Sequence, residues 1–352
     1  MGAPAALDRA AVAAVDSTGQ AAEIADLGIH LRDGLWRVDS AAIAPVDAPG
    51  GLVVAGMGGS GVGGRLARAA LGPRLRRPFV ISHGYTVPPW TGPEQLVLCS
   101  SYSGKTQETL AAYDEAGERG APRIVATIGG PLAERARRDG VPVVPLPGGF
   151  QPRATVGYGL VACLEAAALA GVAPSIRDEV EAAATLAGEL AAEWGPDGDE
   201  EGAAKALARR LHGTVPVIAG ADLLAPVAYR WKCQLNENSS MPAFCAPLPE
   251  AGHNEVAAWP EARDVGPFSA VFLEDPGADP RDAARIELMA EIAAEGARVV
   301  QRVPVRGETR LERLVSLVLL GDLVSLYLAV LRGVDPADVE PLDRLKAALA
   351  NR

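Results

Sequence analysis

The chain has 352 residues, 49% of them apolar and 22% charged, which is enough length and apolar content for two packed domains. Its 33 basic against 44 acidic residues give a net charge of -11, which argues against non-specific nucleic-acid binding and anionic membranes but leaves open phosphate binding by local amides. The four cysteines, Cys99, Cys163, Cys233 and Cys245, form no C-x-x-C pair, so a reduced, cytoplasmic set is expected rather than a disulfide framework or a zinc site.

The first 20 residues lack a basic region followed by an apolar run, so no signal peptide is expected. Residues 5–40 read as two N-terminal helices separated by "STG". From there short apolar runs alternate with helical stretches: "GLVVAG", "PFVISHG", "QLVLCSS", "RIVATIG" and "VPVVPLP" as strands, with helices between them. Short buried strands separated by helices predict an α/β fold with a doubly wound parallel sheet.

The first strand runs into "GMGGSGVGG", residues 56–64, which opens a helix. A strand, a glycine turn and a helix start are the context of a phosphate-binding loop, because glycines admit an anion close to the backbone and the helix terminus offers free N–H groups. Gly58, Gly59 and Ser60 are the candidate contacts. Gly56, Gly58 and Gly61 also spell G-x-G-x-x-G, but a dinucleotide site needs an acid at the end of the next strand, and that strand ends in Ser82 and His83. Arg76 and Arg77 leave an NADP-dependent oxidoreductase as a remote alternative.

The third strand runs into "SSYSGKTQET", residues 100–109, where Ser101, Ser103 and Thr106 put three hydroxyls beside a helix start. Helix capping accounts for one of them. A nucleotide P-loop is excluded because Cys99 stands where its first glycine belongs. Two such nests, at the ends of the first and third strands, converge at the carboxyl edge of one sheet and suit a single phosphomonoester.

A helical stretch ends in "GPDGDEEG", residues 195–202, the best domain boundary. The expected layout is N-terminal helices over 1–40, a first domain over 41–195, and a second over 202–352 that includes C-terminal helices. The alternation resumes with "TVPVIAG", a helix through "LLAPVAYRWKCQLNEN", "FSAVFLED", a helix over 280–296 and "RVVQRVPV". The run Leu314 to Leu331 is long and apolar enough to span a membrane, but Asp322 at its centre favours a buried helix or one at a subunit interface.

The motifs "GMGGSGVGG", "SYSGKTQET", "GGFQPRATVGYGL", "QLNENSSMPAF" and "LPEAGHNEV", in this order, resemble those of the bifunctional phosphoglucose/phosphomannose isomerases within the sugar isomerase (SIS) domain superfamily. The resemblance runs from about residue 45 to the C-terminus. It implies two SIS domains of flavodoxin-like type and a homodimer with active sites at the subunit interface. It further implies Ser60, Ser101, Ser103 and Thr106 as phosphate binders, Arg153 as the active-site arginine and Glu237 as the base. His253 is then the ring-opening histidine, reaching over from the partner subunit, and Lys346 a C-terminal lysine near the substrate. Lys105 departs from the family pattern, which usually has Asn there.

The chemistry asks for the same residue types. Aldose–ketose isomerisation moves a proton between C1 and C2 through an enediol, with a base over those carbons, a group to open the ring and a cation for the developing oxyanion. A carboxylate, an imidazole and a guanidinium serve these roles with no metal or other cofactor. Four scattered histidines supply no metal-ligand set, and His30, His83 and His212 read as structural. The expected activity is interconversion of glucose 6-phosphate and mannose 6-phosphate with fructose 6-phosphate. A non-catalytic sugar-phosphate sensor and an isomerase of another sugar phosphate are the alternatives.

Overall fold

The structure, a computed structural model, describes residues 6–350. The chain divides into two compact units: unit one comprises 26–188 with 307–314, and unit two comprises the residues up to 25 with 189–306 and those from 315 onward. The strands are β1 (Gly51–Ala55), β2 (Phe79–Ser82), β3 (Gln95–Ser100), β4 (Arg123–Thr127), β5 (Val143–Pro145), β6 (Val215–Ala221), β7 (Phe244–Leu248), β8 (Phe268–Glu274) and β9 (Val299–Pro304). The helices of the first half are α1 (Arg9–Ala13), α2 (Gln20–Ala25), α3 (Leu27–Ser40), α4 (Gly58–Leu71), α5 (Gln107–Glu118), α6 (Gly130–Asp139), α7 (Val156–Leu169) and α8 (Arg177–Trp194). Those of the second half are α9 (Ala203–Leu211), α10 (Ala225–Asn238), α11 (Ala262–Val265), α12 (Pro280–Ala294), α13 (Arg310–Arg332) and α14 (Glu340–Ala350).

Unit one is built on a five-stranded sheet in the order β2-β1-β3-β4-β5, parallel throughout. β1 and β3 are buried along their whole length, as strands covered on both faces must be. Alternate residues serve opposite faces: Val53, Ala55, Val97 and Cys99 pack with Tyr113 and Ala116 of α5 and with Leu132 and Ala136 of α6. Burial of Cys99 pushes its thiol up to about 12, so it behaves as a small apolar side chain.

Unit two holds a four-stranded sheet in the order β7-β6-β8-β9, again parallel throughout. Both halves are therefore the α/β, doubly wound parallel arrangement that the strand–helix alternation predicts. One strand was not anticipated. β7, "FCAPL", contains Pro247, which reads as a strand breaker; β7 is an edge strand, where a missing N–H does no harm. The N-terminal region also differs. It folds as three helices rather than two, because Asp26 interrupts the second between α2 and α3, and Asp is a poor residue for a helix interior.

α13 has a mean hydropathy of 2.3 over its most apolar 18 residues, and 89% of that window is buried within the protein. Its central Asp322 is paired inside unit two: Arg230 of α10 donates from Nε to Oδ1 at 3.0 Å and from Nη2 to Oδ2 at 2.6 Å. A bidentate guanidinium–carboxylate pair makes that buried charge tolerable in a core helix.

Candidate active site

In unit one the strand order reverses direction between β1 and β3: the chain passes from β1 outward to β2, then returns to the other side of β1. Loops leaving the carboxyl ends of two strands at such a switch point diverge and leave a crevice. Register Ala55↔Cys99 brings those ends side by side, so the turn after β1 and the turn after β3 flank the same crevice.

The first turn enters α4 directly. Gly58 takes φ +51°, a conformation that L side chains rarely adopt, and this turns the backbone into the helix. Gly61 N–H is the first to donate within the helix, to Met57 O at 3.2 Å, and the α4 N-cap residue Met57 makes no side-chain cap. The helix therefore presents its opening amides, with Ser60 in the first turn, to whatever occupies the crevice.

The second turn is built to match. Thr106 is the N-cap of α5, yet its hydroxyl caps nothing; it lies 2.8 Å from the Ser101 hydroxyl. Ser103 Oγ accepts from Lys105 N–H at 3.2 Å, and Lys105 itself is exposed. The expectation that capping would account for one hydroxyl does not hold: Thr106 is turned toward Ser101 instead. The two turns are tied together, because Tyr102 N–H donates to Ser60 Oγ at 3.3 Å.

A third segment closes on them. "QPRAT" forms a short 3-10 helix, Pro152–Thr155, ahead of α7, with Arg153 buried. A Cβ at Gly59 would stand 3.0 Å from Pro152 O and 3.3 Å from Arg153 Cα. The glycine at 59 thus lets the backbone of the Arg153 segment rest on the first turn. Ser60, Ser101, Ser103, Thr106 and Arg153 therefore stand on three neighbouring segments of unit one. His83 belongs to the same neighbourhood: its Nδ1 lies 3.0 Å from Gly56 O, and since a carbonyl can only accept, that nitrogen carries the proton. Burial holds the His83 pKa below its ordinary value, with the Gly56 hydrogen bond opposing and Arg65 adding to the fall. The position where a dinucleotide site wants a carboxylate is thus filled by an imidazole braced on the turn itself.

The remaining candidates lie in unit two, on separate elements. Glu237 is half-buried, one residue from the end of α10. His253 is exposed, in the turn that follows β7. Lys346 is exposed on α14, with Nζ 3.9 Å from Asp343 Oδ1. Among the described residues no group of three or more His, Cys, Asp or Glu is placed to hold a metal ion.

Comparison with known proteins identifies this layout. Residues 200–349 match the model of the bacterial phospho-glucose isomerase C-terminal SIS domain. The bifunctional phosphoglucose/phosphomannose isomerase of Caldicellulosiruptor bescii is 36% identical over 302 residues, covering 85% of this chain and 89% of that protein. The enzyme of the same name from Aquifex aeolicus is 37% identical over 306 residues, covering 85% and 90%. This chain belongs to the bifunctional phosphoglucose/phosphomannose isomerase family. A hypothetical protein from Thermus thermophilus has the same fold, with a TM-score of 0.73 at 18% identity over 98% of this chain and 93% of that one.

Within this isomerase family member, residues that sequence reasoning passed over hold the end of α10 in place. Asn238, fully buried beside Glu237, donates from Nδ2 to Ser325 Oγ at 2.9 Å and accepts from Gln20 Nε2 at 2.9 Å. Ser239 Oγ donates to Ser325 O at 2.7 Å, and Ser325 Oγ donates to Asp322 O at 2.7 Å. With the Arg230–Asp322 pair, these bonds pin the helix bearing Glu237 to α13. The hint in the sequence was the polar residues Asp322 and Ser325, with Ser316, inside the apolar run Leu314 to Leu331.

Proposed function

We propose that this protein interconverts glucose 6-phosphate and mannose 6-phosphate with fructose 6-phosphate through a cis-enediol, without a metal. The observation that carries the reading is the pair of hydroxyl- and amide-rich turns at the β1/β3 switch point, joined by the Tyr102–Ser60 hydrogen bond. Its donors suit a phosphate monoester: hydroxyls of Ser60, Ser101, Ser103 and Thr106, amides of Gly58 and Gly59, and the positive ends of α4 and α5. Anchoring the phosphate fixes the register of the carbon chain, which lets catalysis act on C1 and C2.

In this reading His253 moves the proton between O1 and O5 as the ring opens. Glu237 then takes the C2 proton of the aldose and returns it to C1, and Arg153 and Lys346 supply positive charge for the oxyanion of the enediolate. Glucose and mannose 6-phosphates differ only at C2. Removing that proton gives both the same enediol, so one base can serve both sugars. The active protein is a homodimer, with His253 contributed by the partner subunit. Topology supports this. α10 joins two parallel neighbours, so it runs back along the sheet and brings Glu237 to the amino end of β7. His253 follows the carboxyl end of β7, five residues away at about 3.3 Å each. One chain thus holds its own Glu237 and His253 toward opposite ends of β7.

The test is a coupled assay with each aldose phosphate on the wild type and Glu237→Gln. The amide should lower kcat about 10²- to 10⁴-fold while inorganic phosphate still binds. Full activity in that variant refutes the role of Glu237, and tight sugar-phosphate binding without wild-type turnover makes the protein a sensor.

A further inference from the structure

Tyr102 lies between Ser101 and Ser103, 7% exposed, and each of its polar groups is committed to a different segment. Its N–H donates to Ser60 Oγ in the first turn at 3.3 Å. Its carbonyl accepts from Ile128 N–H at 3.0 Å and from Thr127 Oγ1 at 3.3 Å, at the end of β4 and just beyond it. Its phenol oxygen accepts from Phe150 N–H at 2.9 Å. Phe150 precedes Arg153 by three residues and follows Gly148 and Gly149, the latter at φ +95°, so the backbone before it has few side chains to hold it. The Phe150 ring is wedged edge-on against His30, with centroids 5.1 Å apart, and beside Tyr158 at 6.2 Å.

We infer that Tyr102 is a positioning residue: its phenol locks the 148–155 segment, and with it Arg153, onto the two turns that hold the phosphate. This rests on the isomerase reading above. The backbone N–H of Tyr102 shapes the phosphate crevice, whereas its side-chain oxygen sets the Arg153 segment. The two duties are separable by chemistry. Tyr102→Phe keeps the ring volume and the Ser60 hydrogen bond, and removes the acceptor of the Phe150 amide.

The experiment pairs steady-state kinetics with hydrogen–deuterium exchange on the wild type and Tyr102→Phe. The variant should lower kcat about 10- to 100-fold, the scale expected when a charged group is displaced by a fraction of an ångström to one ångström. KM, and the inhibition constant of inorganic phosphate, should stay within about twofold. Exchange in the 146–156 peptide should quicken, with 56–64 unchanged. A normal kcat, or unaltered exchange in 146–156, overturns the inference. So does a loss of phosphate affinity equal to the loss of kcat with faster exchange in both peptides, which marks a merely structural tyrosine. If the wild type turns over neither sugar, the isomerase reading fails on its own, and the exchange data still decide whether the phenol holds the segment.

Discussion

The two parallel sheets share a switch-point topology and dress it differently. In unit one the helices after β1 and β3 start without a side-chain cap, and the Ser101 and Thr106 hydroxyls are turned toward each other. In unit two the helix after β8, α12, is capped from within: Asp279 accepts from Arg281 N–H at 2.8 Å, and Asp275 accepts from Gly277 N–H at 2.8 Å. The strand β6 leads through Asp222 to α10, whose first turn carries Pro226 and so lacks a donor. Carboxylates and a proline at these places repel or fail to bind a phosphate, whereas open amides and hydroxyls attract one. Unit two's polar investment is interior instead, in Arg230–Asp322 and the Asn238–Ser325 bonds. In unit one hydroxyls gather at the strand–helix turns; in unit two polar groups are drawn into the interior.

The sharpest way to break that contrast is to damage the interior pair. Asp322→Ala leaves the Arg230 guanidinium buried without its carboxylate, and should cost about 3–5 kcal/mol of stability in urea unfolding. An Arg230→Met, Asp322→Leu double variant removes both charges and should recover most of that loss. If the single variant unfolds at the wild-type urea concentration, the pair is not the internal brace described.

Corresponding damage in unit one should cost less stability and reach the ligand. Ser60→Ala and Thr106→Val each delete one hydroxyl donor to a charged group, worth about 1.5–3 kcal/mol. KM for a hexose 6-phosphate should rise roughly 10- to 100-fold in each variant, with the unfolding midpoint barely changed in Thr106→Val and lowered in Ser60→Ala, which leaves the Tyr102 N–H without its acceptor, by less than in Asp322→Ala. A shifted midpoint and an unchanged KM would reverse the assignment of roles to the two units.

What could be seen in advance follows the same division. The crevice was legible because its chemistry is local: glycines and hydroxyls at strand–helix junctions keep their meaning whatever packs around them, and both turns lie where the strand pattern puts them. Non-local ties were not legible. The fate of the Thr106 hydroxyl depends on Ser101 across a turn, and capping is the default for an isolated Thr at a helix start. Tyr102 and Phe150 stand 48 residues apart, and neither advertises the other. Arg230 is one of many arginines until α13 places Asp322 against it. β7 was missed because "FCAPL" lacks the β-branched residues that mark the other strands, whereas the sheet supplies an edge that tolerates Pro247.

The smallest expected effect probes a buried polar group of unit one that lies outside both the crevice and the interior bonding. His30 is 3% exposed, its Nδ1 has no hydrogen-bond partner, and it stacks among Phe150 and Tyr158. Burial lowers its pKa below the ordinary 6.5, with Asp26 and Asp33 opposing the fall. As pH drops below 6.5 the unfolded chain takes up a proton that the folded unit refuses, so stability falls until the folded-state pKa is reached. One such group adds a slope of at most about 1.4 kcal/mol per pH unit. His30→Phe keeps an aromatic ring beside Phe150 and has nothing to titrate. Urea unfolding of unit one, followed from pH 7 downward, should therefore show a shallower decline in the variant, with the two curves meeting near neutrality. Identical slopes would mean that the folded protein accepts the His30 proton as readily as the unfolded chain does, and that this imidazole, like the Asp322 carboxylate of unit two, has its charge met by the fold.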